Sequence, residues 1–289
     1  MNASMQGKTV LVTGATAGIG QVTVRELARM GATVVGIGRN PQKCAEVAAQ
    51  IRSQTGNTAV EYLVADLSLL REIRKVTETF KSRYNRLDVL VNNAGAFYQQ
   101  RQVTAEGFEM TFALNHLNYF LLTQQLLDLL SASAPARIVN VSSDAHKAAK
   151  FDLADLQMEK KYSGWTAYAN SKLANIFFTY ELARRLAGSK VTVNTLHPGF
   201  VDSNFALNNN QGTAAKVFLA IFKPLRNLIA VSVDKGAETS IFLASSPAVE
   251  GETSKYFVNK QAVRSSSISY DTDVAQRLWD ITERHCNHN

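Results

Sequence analysis

The chain has 289 residues, 46% of them apolar, with a formal net charge of +7 and two cysteines, which is enough to bury the core of one α/β domain or two small ones. Its basic residues are mixed with acids along helix-like segments rather than gathered in a stripe, which argues against nucleic-acid binding and suits a solvated surface facing a phosphorylated cofactor. Cys44 and Cys286 form neither a disulfide framework nor a metal cluster, no apolar run nears the ~20 residues of a spanning helix, and Met1 to Gly7 lacks the apolar stretch of a signal peptide; a soluble, cytoplasmic protein without a metal is expected.

Lys8 to Thr13 is a short β-branched run ending in glycines, followed by a helical pattern from about Ile19 to Met30. Ala32 to Ile37 reads as a second buried strand. A helix near Gln42 to Gln54, a strand near Ala59 to Val64, a helix near Leu69 to Tyr84 and a strand at Leu87 to Val91 continue the alternation. After Gly107 comes a long apolar helical region through Leu130, then a strand at Arg137 to Val141, a helix to about Leu186 and a strand at Val191 to Leu196. Gly236 to Ala244 is expected to be helical, with a last strand near Tyr256 to Val258. Alternation at this pitch predicts a parallel sheet with right-handed crossovers and helices on both faces. With no linker or repeat, the economical reading is a single-domain Rossmann fold over 1–289, a doubly wound parallel sheet of about seven strands.

Several stretches carry chemistry. Thr13-Gly14-Ala-Thr-Ala-Gly18-Ile-Gly20 ends the first strand with glycines that permit a tight turn and let backbone amides approach a pyrophosphate at a helix N-terminus. At the end of the second strand, Arg39 stands where an NAD enzyme would place an acid on the ribose 2′-hydroxyl. An arginine there pairs with a 2′-phosphate, so NADP(H) is favoured over NAD(H). Asp66, after the third strand, is a candidate partner for the adenine or an N-cap for the next helix. Asn92-Asn93-Ala94-Gly95 ends the fourth strand at the carboxyl edge of the sheet, where small and amide side chains pack beside a cofactor. Tyr168 and Lys172, four apart at the front of a helix, share one face. Tyr256 and Lys260 repeat the spacing, but in a strand residues four apart are about 13 Å apart, so that copy is read as inert. His116 and His197 lie beside these motifs without further ligands and are read as structural.

Taken together, the glycine turn, Asn92-Asn93-Ala94-Gly95, Asn115, Ser142-Ser143, Tyr168-(three residues)-Lys172 and His197-Pro198-Gly199 resemble the short-chain dehydrogenase/reductase superfamily over roughly residues 7 to 260. Gly107-Phe-Glu-Met-Thr-Phe-Ala-Leu-Asn-His-Leu, Asn140-Val-Ser-Ser-Asp-Ala-His and Ser171-Lys-Leu-Ala-Asn resemble its retinol dehydrogenase-like group more closely.

The resemblance implies roles. Tyr168 is the general acid/base, Lys172 lowers its pKa and holds the nicotinamide ribose, Ser143 bonds the substrate oxygen, and Asn115 belongs to a water relay reaching Lys172. Of the two adjacent serines only one faces Tyr168 if both lie in a strand, and Ser143 is the one chosen. Cofactor contacts are implied for Gly14, Thr16, Gly18, Ile19, Gly20, Arg39, Asp66, Leu67, Asn93, Ala94, Gly95, Tyr168, Lys172, Pro198 and Gly199. The substrate is expected to be a small apolar aldehyde, ketone or alcohol. Residues 204–231 are expected to be a variable substrate-binding segment. Val217, Phe218, Ile221, Phe222, Leu225, Leu228 and Ile229 follow helical spacing there, with Lys216 and Lys223 on another face; this is read as a lid, or more sharply as a weak contact with membrane surfaces. Relatives form homo-oligomers through the long helices, here around Phe108 to Leu130 and Thr166 to Leu186, although monomers also occur. Two other classes share parts of the pattern, a non-catalytic redox-sensing or scaffold protein and a nucleotide-sugar epimerase or dehydratase. The presence of all four catalytic positions favours the oxidoreductase.

Overall fold

Strands covered on both faces are apolar throughout, whereas helices between sheet and solvent need only one apolar stripe. Thr9–Thr13 (β1) is buried at all five positions, while the helix after it, Gly18–Arg29 (α1), buries one side. The computed structural model describes residues 4–199 and 231–287. Within them follow Thr33–Gly38 (β2), Pro41–Thr55 (α2), Val60–Val64 (β3), Leu70–Arg83 (α3) and Val89–Asn92 (β4). Met110–Phe112 (α4) runs through a π-helical turn, Ala113–Leu117, into Asn118–Ala132 (α5). Ala136–Val141 (β5), Gly164–Arg185 (α6), Val191–His197 (β6), Val233–Ser245 (α7), Lys255–Val258 (β7), Gln261–Val263 (β8) and Thr272–Asn287 (α8) complete the order.

The strands form one sheet in the order β3-β2-β1-β4-β5-β6-β7-β8, parallel except for β8, which pairs antiparallel with β7. Side chains alternate along each strand. Val10 and Val12 face a core closed by Val24, Leu27, Val47, Ile51 and Leu243 from α1, α2 and α7. Leu11 faces the other core, with Ile73, Phe80, Leu122, Leu126 and Phe178 from α3, α5 and α6. The strand order reverses between β1 and β4, and in such sheets ligands bind outside the carboxyl ends at that switch point. Both the glycine turn and Asn92-Asn93-Ala94-Gly95 leave the sheet there.

Two described elements extend the sequence reading. β8 is three residues long and exposed throughout, too short to show periodicity, and it makes the sheet eight-stranded rather than seven. α8 lies over α5 and α6: the Trp279 ring centre is 4.8 Å from that of Phe120 and 5.9 Å from that of Phe178, Arg185 sits 4.1 Å above the indole, and Arg74 of α3 bonds the Cys286 carbonyl. The unbroken burial of α6 from Ser171 to Ala183 follows from this cover. Among the described residues no helix is long and apolar enough to cross a membrane. The segment 204–231, apart from Val231, lies outside the described residues.

Candidate active site

The glycine turn is a fitted joint. Gly14 and Gly18 have φ of +63° and +56°, in the left-handed region that favours glycine. A Cβ on Gly14 would stand 2.9 Å from the Ala94 Cα, and one on Gly20 would stand 2.3 Å from the Gly14 carbonyl oxygen. The turn is buckled to the end of β4: the Thr13 hydroxyl oxygen accepts from the amides of Asn93 (2.8 Å) and Ala94 (2.9 Å), and the Asn93 side-chain amide donates to the carbonyls of Thr13 (2.8 Å) and Gly14 (3.3 Å). Asn93 therefore shapes the cofactor turn through its neighbours, and Thr13 joins it as a site residue that the sequence reading left unassigned.

α1 starts after Ala17 with no side-chain cap and no acid in its first turn. By contrast α2, α6 and α7 are capped by Asn40, Ser163 and Ser232, and α3 by the Glu106 carboxylate, which accepts from the amides of Leu70 and Arg71. First-turn amides with no side-chain acceptor among the described residues, behind a turn too tight for a Cβ, fit a dinucleotide pyrophosphate. Ile19 lies half-buried on that first turn, and a Cβ on Gly38 would meet the Thr16 methyl at 2.4 Å, so Thr16 packs on the end of β2.

Arg39 and Asp66 leave the adjacent strands β2 and β3, with Nη1 4.0 Å from Oδ2. The Arg39 side chain is 75% exposed, and a pair this open and long holds the guanidinium weakly. Asp66 does not cap α3; its Oδ1 accepts from the amide and hydroxyl of Ser68 (3.0 and 2.7 Å). The Leu67 side chain is in the core. Tyr98, unassigned in the sequence, is close enough to feel both charges: burial raises its pKa, Arg39 opposes that and Asp66 adds to it. Pro198 and Gly199 follow β6 half-buried, Gly199 at φ +86°, and a Cβ there would meet Val231 at 3.1 Å.

α6 delivers the paired side chains. Its first residue, Gly164, is seated so closely that a Cβ would lie 2.3 Å from the Tyr98 carbonyl oxygen. Tyr168 and Lys172 then stand one turn apart, with the ammonium 5.6 Å from the phenol ring centre. Lys172 Nζ donates to the Val141 carbonyl at 3.1 Å, and a Cβ on Gly95 would come within 3.4 Å of it. Phe97 meets the Tyr168 ring edge-on at 6.2 Å, and Trp165, 55% exposed, flanks it at 6.3 Å.

The chain leaving β5 supplies the third group, and the two serines just past the strand diverge. Ser142 donates from Oγ to the Lys172 carbonyl at 2.8 Å, whereas Ser143 hydrogen-bonds Tyr168 and accepts from the Ala145 amide at 3.2 Å. Two histidines brace this corner. His197 Nδ1 accepts from the Asp144 amide (3.2 Å), and His146 joins the Ser143 carbonyl (2.7 Å) to the Ser266 amide (3.1 Å). Burial lowers the pKa of both rings, which keeps their accepting nitrogens free of protons.

Burial also governs the central pair. It pushes the Tyr168 phenol up to about 12 against the opposing Ser143 bond, and the Lys172 ammonium down to about 7. The sequence reading has Lys172 lowering the phenol; with only protein groups around the pair, the penalty for charge in a low dielectric is larger.

Asn115 sits inside the π turn, fully buried. Its side chain grips Ala96 at both ends, accepting from the amide (2.8 Å) and donating to the carbonyl (3.0 Å), and also donates to the Ser171 hydroxyl (3.0 Å). The amide group is thus spent on positioning the loop beside Gly95 and the helix beside Lys172. Tyr256 and Lys260 diverge: the tyrosine is buried on β7, and the lysine reaches Glu238 at 2.8 Å. Among the described residues no cluster of His, Cys, Asp or Glu could hold a metal ion.

Comparison with known proteins adds to this geometry. The family model for short chain dehydrogenases matches residues 8–214. The chain is 44% identical to retinol dehydrogenase 14 of Homo sapiens, over 96% of this chain and 86% of that protein. To retinol dehydrogenase 13 of Homo sapiens it is 41% identical, over 98% and 85%. Among solved structures, an uncharacterized protein from Mycobacterium Paratuberculosis aligns with a TM-score of 0.79 at 32% identity, covering 99% of this chain and 95% of that one. A short chain dehydrogenase from Burkholderia cenocepacia J2315 in complex with NADP aligns with a TM-score of 0.67 at 26% identity, covering 88% and 96%.

Proposed function

Because the chain belongs to the short-chain dehydrogenase family and to its retinol dehydrogenase-like group, an oxidoreductase family that binds nicotinamide dinucleotides, we propose that it is an NADP(H)-dependent enzyme interconverting an apolar aldehyde or ketone with its alcohol, with Tyr168 as general acid/base. The observation that carries the reading is the convergence of Ser143, Tyr168 and Lys172 at the carboxyl edge of the sheet, next to a glycine turn that fits a pyrophosphate.

A nicotinamide dinucleotide held at the glycine turn would supply or accept the hydride. The chain's own groups manage the oxygen. Ser143 and Tyr168 aim hydroxyls at the carbonyl oxygen, where donors count most as charge develops. Tyr168 then gives up its proton, and Lys172, one turn below, favours the phenolate left behind. Asn115 holds Ala96 and Ser171 so that these groups keep their spacing. Phe97 and the exposed Trp165 give the mouth of the site an apolar wall, which suits a lipophilic substrate. The test is NADPH oxidation against a panel of apolar aldehydes and ketones, and a panel without turnover removes the proposal.

Arg39 carries the cofactor preference. Its guanidinium is exposed and weakly held, ready for a charge-assisted pair with a 2′-phosphate, worth about 1.5–3 kcal/mol. Arg39→Asp is therefore expected to lower kcat/KM with NADPH about 100-fold while kcat/KM with NADH holds or rises. Equal losses with both cofactors would assign Arg39 a structural role.

The reading extends to residues 204–231 as a basic, apolar segment that meets membrane surfaces. Co-sedimentation with anionic vesicles at low salt, lost at high salt, is the expected result.

A further inference from the structure

A line of buried polar groups joins the C-terminal helix to the active site. Thr282 of α8, His116 and Asn115 of the π turn, and Asn175 of α6 are each at most 1% exposed. His116 Nε2 lies 3.1 Å from the Thr282 hydroxyl, and Nδ1 lies 3.3 Å from the Asn175 side-chain oxygen. The Asn175 amide donates to the main-chain carbonyl of Asn115 at 2.9 Å. The Asn115 side chain in turn holds Ala96 and Ser171.

Only one pattern of donors satisfies the line. An amide oxygen cannot donate, so Nδ1 of His116 carries the proton and gives it to Asn175. Nε2 is then an acceptor and takes the Thr282 proton. Each group donates to the next, from the outermost helix to the Asn115 carbonyl. The surroundings fix this state: the ring packs against Phe112 and Phe178, and burial holds its pKa down at about 4. Directional chains in a low dielectric reinforce one another, and a missing member leaves a buried group unsatisfied.

We infer that Thr282, His116 and Asn175 are positioning residues, through which the C-terminal helix fixes the Asn115 turn and hence the spacing of Ala96 and Ser171 around Lys172. The inference rests on the dehydrogenase reading only for its effect on turnover. The alternative is that these groups merely satisfy one another within a stable core. A helix that only packed could be replaced by any helix of equal apolar area; this one supplies a hydroxyl at one point.

The experiment uses the full chain and three variants. Thr282→Val keeps the shape but removes the donor, Thr282→Ser keeps the donor, and Leu278→Ala opens a cavity in the same interface while leaving the line intact. Two readouts are taken, amide hydrogen exchange at Ala96, whose N–H is bonded to Asn115, and kcat and KM with NADPH and a carbonyl substrate. Thr282→Val is expected to speed exchange at Ala96 about tenfold and lower kcat about tenfold with KM held within twofold. Thr282→Ser restores both, and Leu278→Ala lowers the thermal midpoint without moving either. Unchanged exchange in Thr282→Val, or equal effects of Thr282→Val and Leu278→Ala at matched stability, overturns the inference. If the wild type turns over no carbonyl, the dehydrogenase reading fails, and exchange at Ala96 alone then decides the relay.

Discussion

Replacing Tyr168 with Phe is expected to lower kcat for carbonyl reduction about 10³-fold, a loss of about 4 kcal/mol of transition-state stabilisation, while the Kd for NADPH is expected to stay within about threefold of wild type. The change removes one hydroxyl. The ring keeps its edge contact with Phe97 and its place beside Trp165, and the Ser143 hydroxyl remains aimed at the same point. What is lost is a proton source in reach of the developing alkoxide, and among the described residues no other acid stands there: Ser143 ionises too weakly, and Lys172 points at the Val141 carbonyl. Fluorescence titration with NADPH and steady-state kinetics separate the two quantities. Turnover within tenfold of wild type would show that the proton comes from elsewhere.

Lys172→Met is expected to abolish turnover yet stabilise the protein measured without cofactor. The sign follows from the burial of this ammonium. Its folded pKa is about 7, below the ordinary 10.5, so between those values the unfolded chain binds more protons than the folded one and stability rises with pH. Below pH 7 both states carry the proton, and folding bears the whole penalty, on the order of a few kcal/mol. Methionine fills similar space without that penalty. The variant is expected to melt at least ~5 °C higher at pH 6, with the gain shrinking as pH approaches 10. A lower midpoint than wild type at pH 6 would mean that the bond to Val141 outweighs the burial of charge. Loss of activity with gain of stability is the signature of a site built for chemistry at the expense of the fold.

How much of this was legible beforehand varies with the physics of each feature. The seven predicted strands and the helices between them match the structure to within a few residues, because strands buried on two faces advertise themselves as unbroken β-branched runs. Ser143 bonds Tyr168 and Ser142 turns to the Lys172 carbonyl; alternation called for one serine only, the resemblance pointed to the second, and both stand just past the end of β5. β8 was missed because three exposed residues have no period to read. α8 was missed because its sequence is mostly charged and polar, and only Ala275, Leu278, Trp279, Thr282 and Cys286 face inward. The π turn around Asn115 has the same composition as any apolar helix, so its extra residue per turn is visible only in the backbone. Other functions are set by partners far away in the chain: Thr13 bracing Asn93, Glu106 capping α3, and His146 tying Ser143 to Ser266. No local pattern encodes these, since the bonds to Asn93, Leu70 and Ser266 each span tens of residues or more.

The cover formed by α8 also sets an order of assembly. The strands of the first half, β1 to β4, pair with one another, and α7 from later in the chain closes one of their faces. The cover joins Arg74 to Cys286 and His116 to Thr282, separations of 212 and 166 residues, and loops of that size are closed only after shorter ones have formed. On a ribosome the last helix emerges after the whole sheet has been made. A newborn chain therefore has its glycine turn and the strands around it before Thr272–Asn287 can brace the turn at Asn115, and this sixteen-residue helix arrives as the last of the described parts to be fitted.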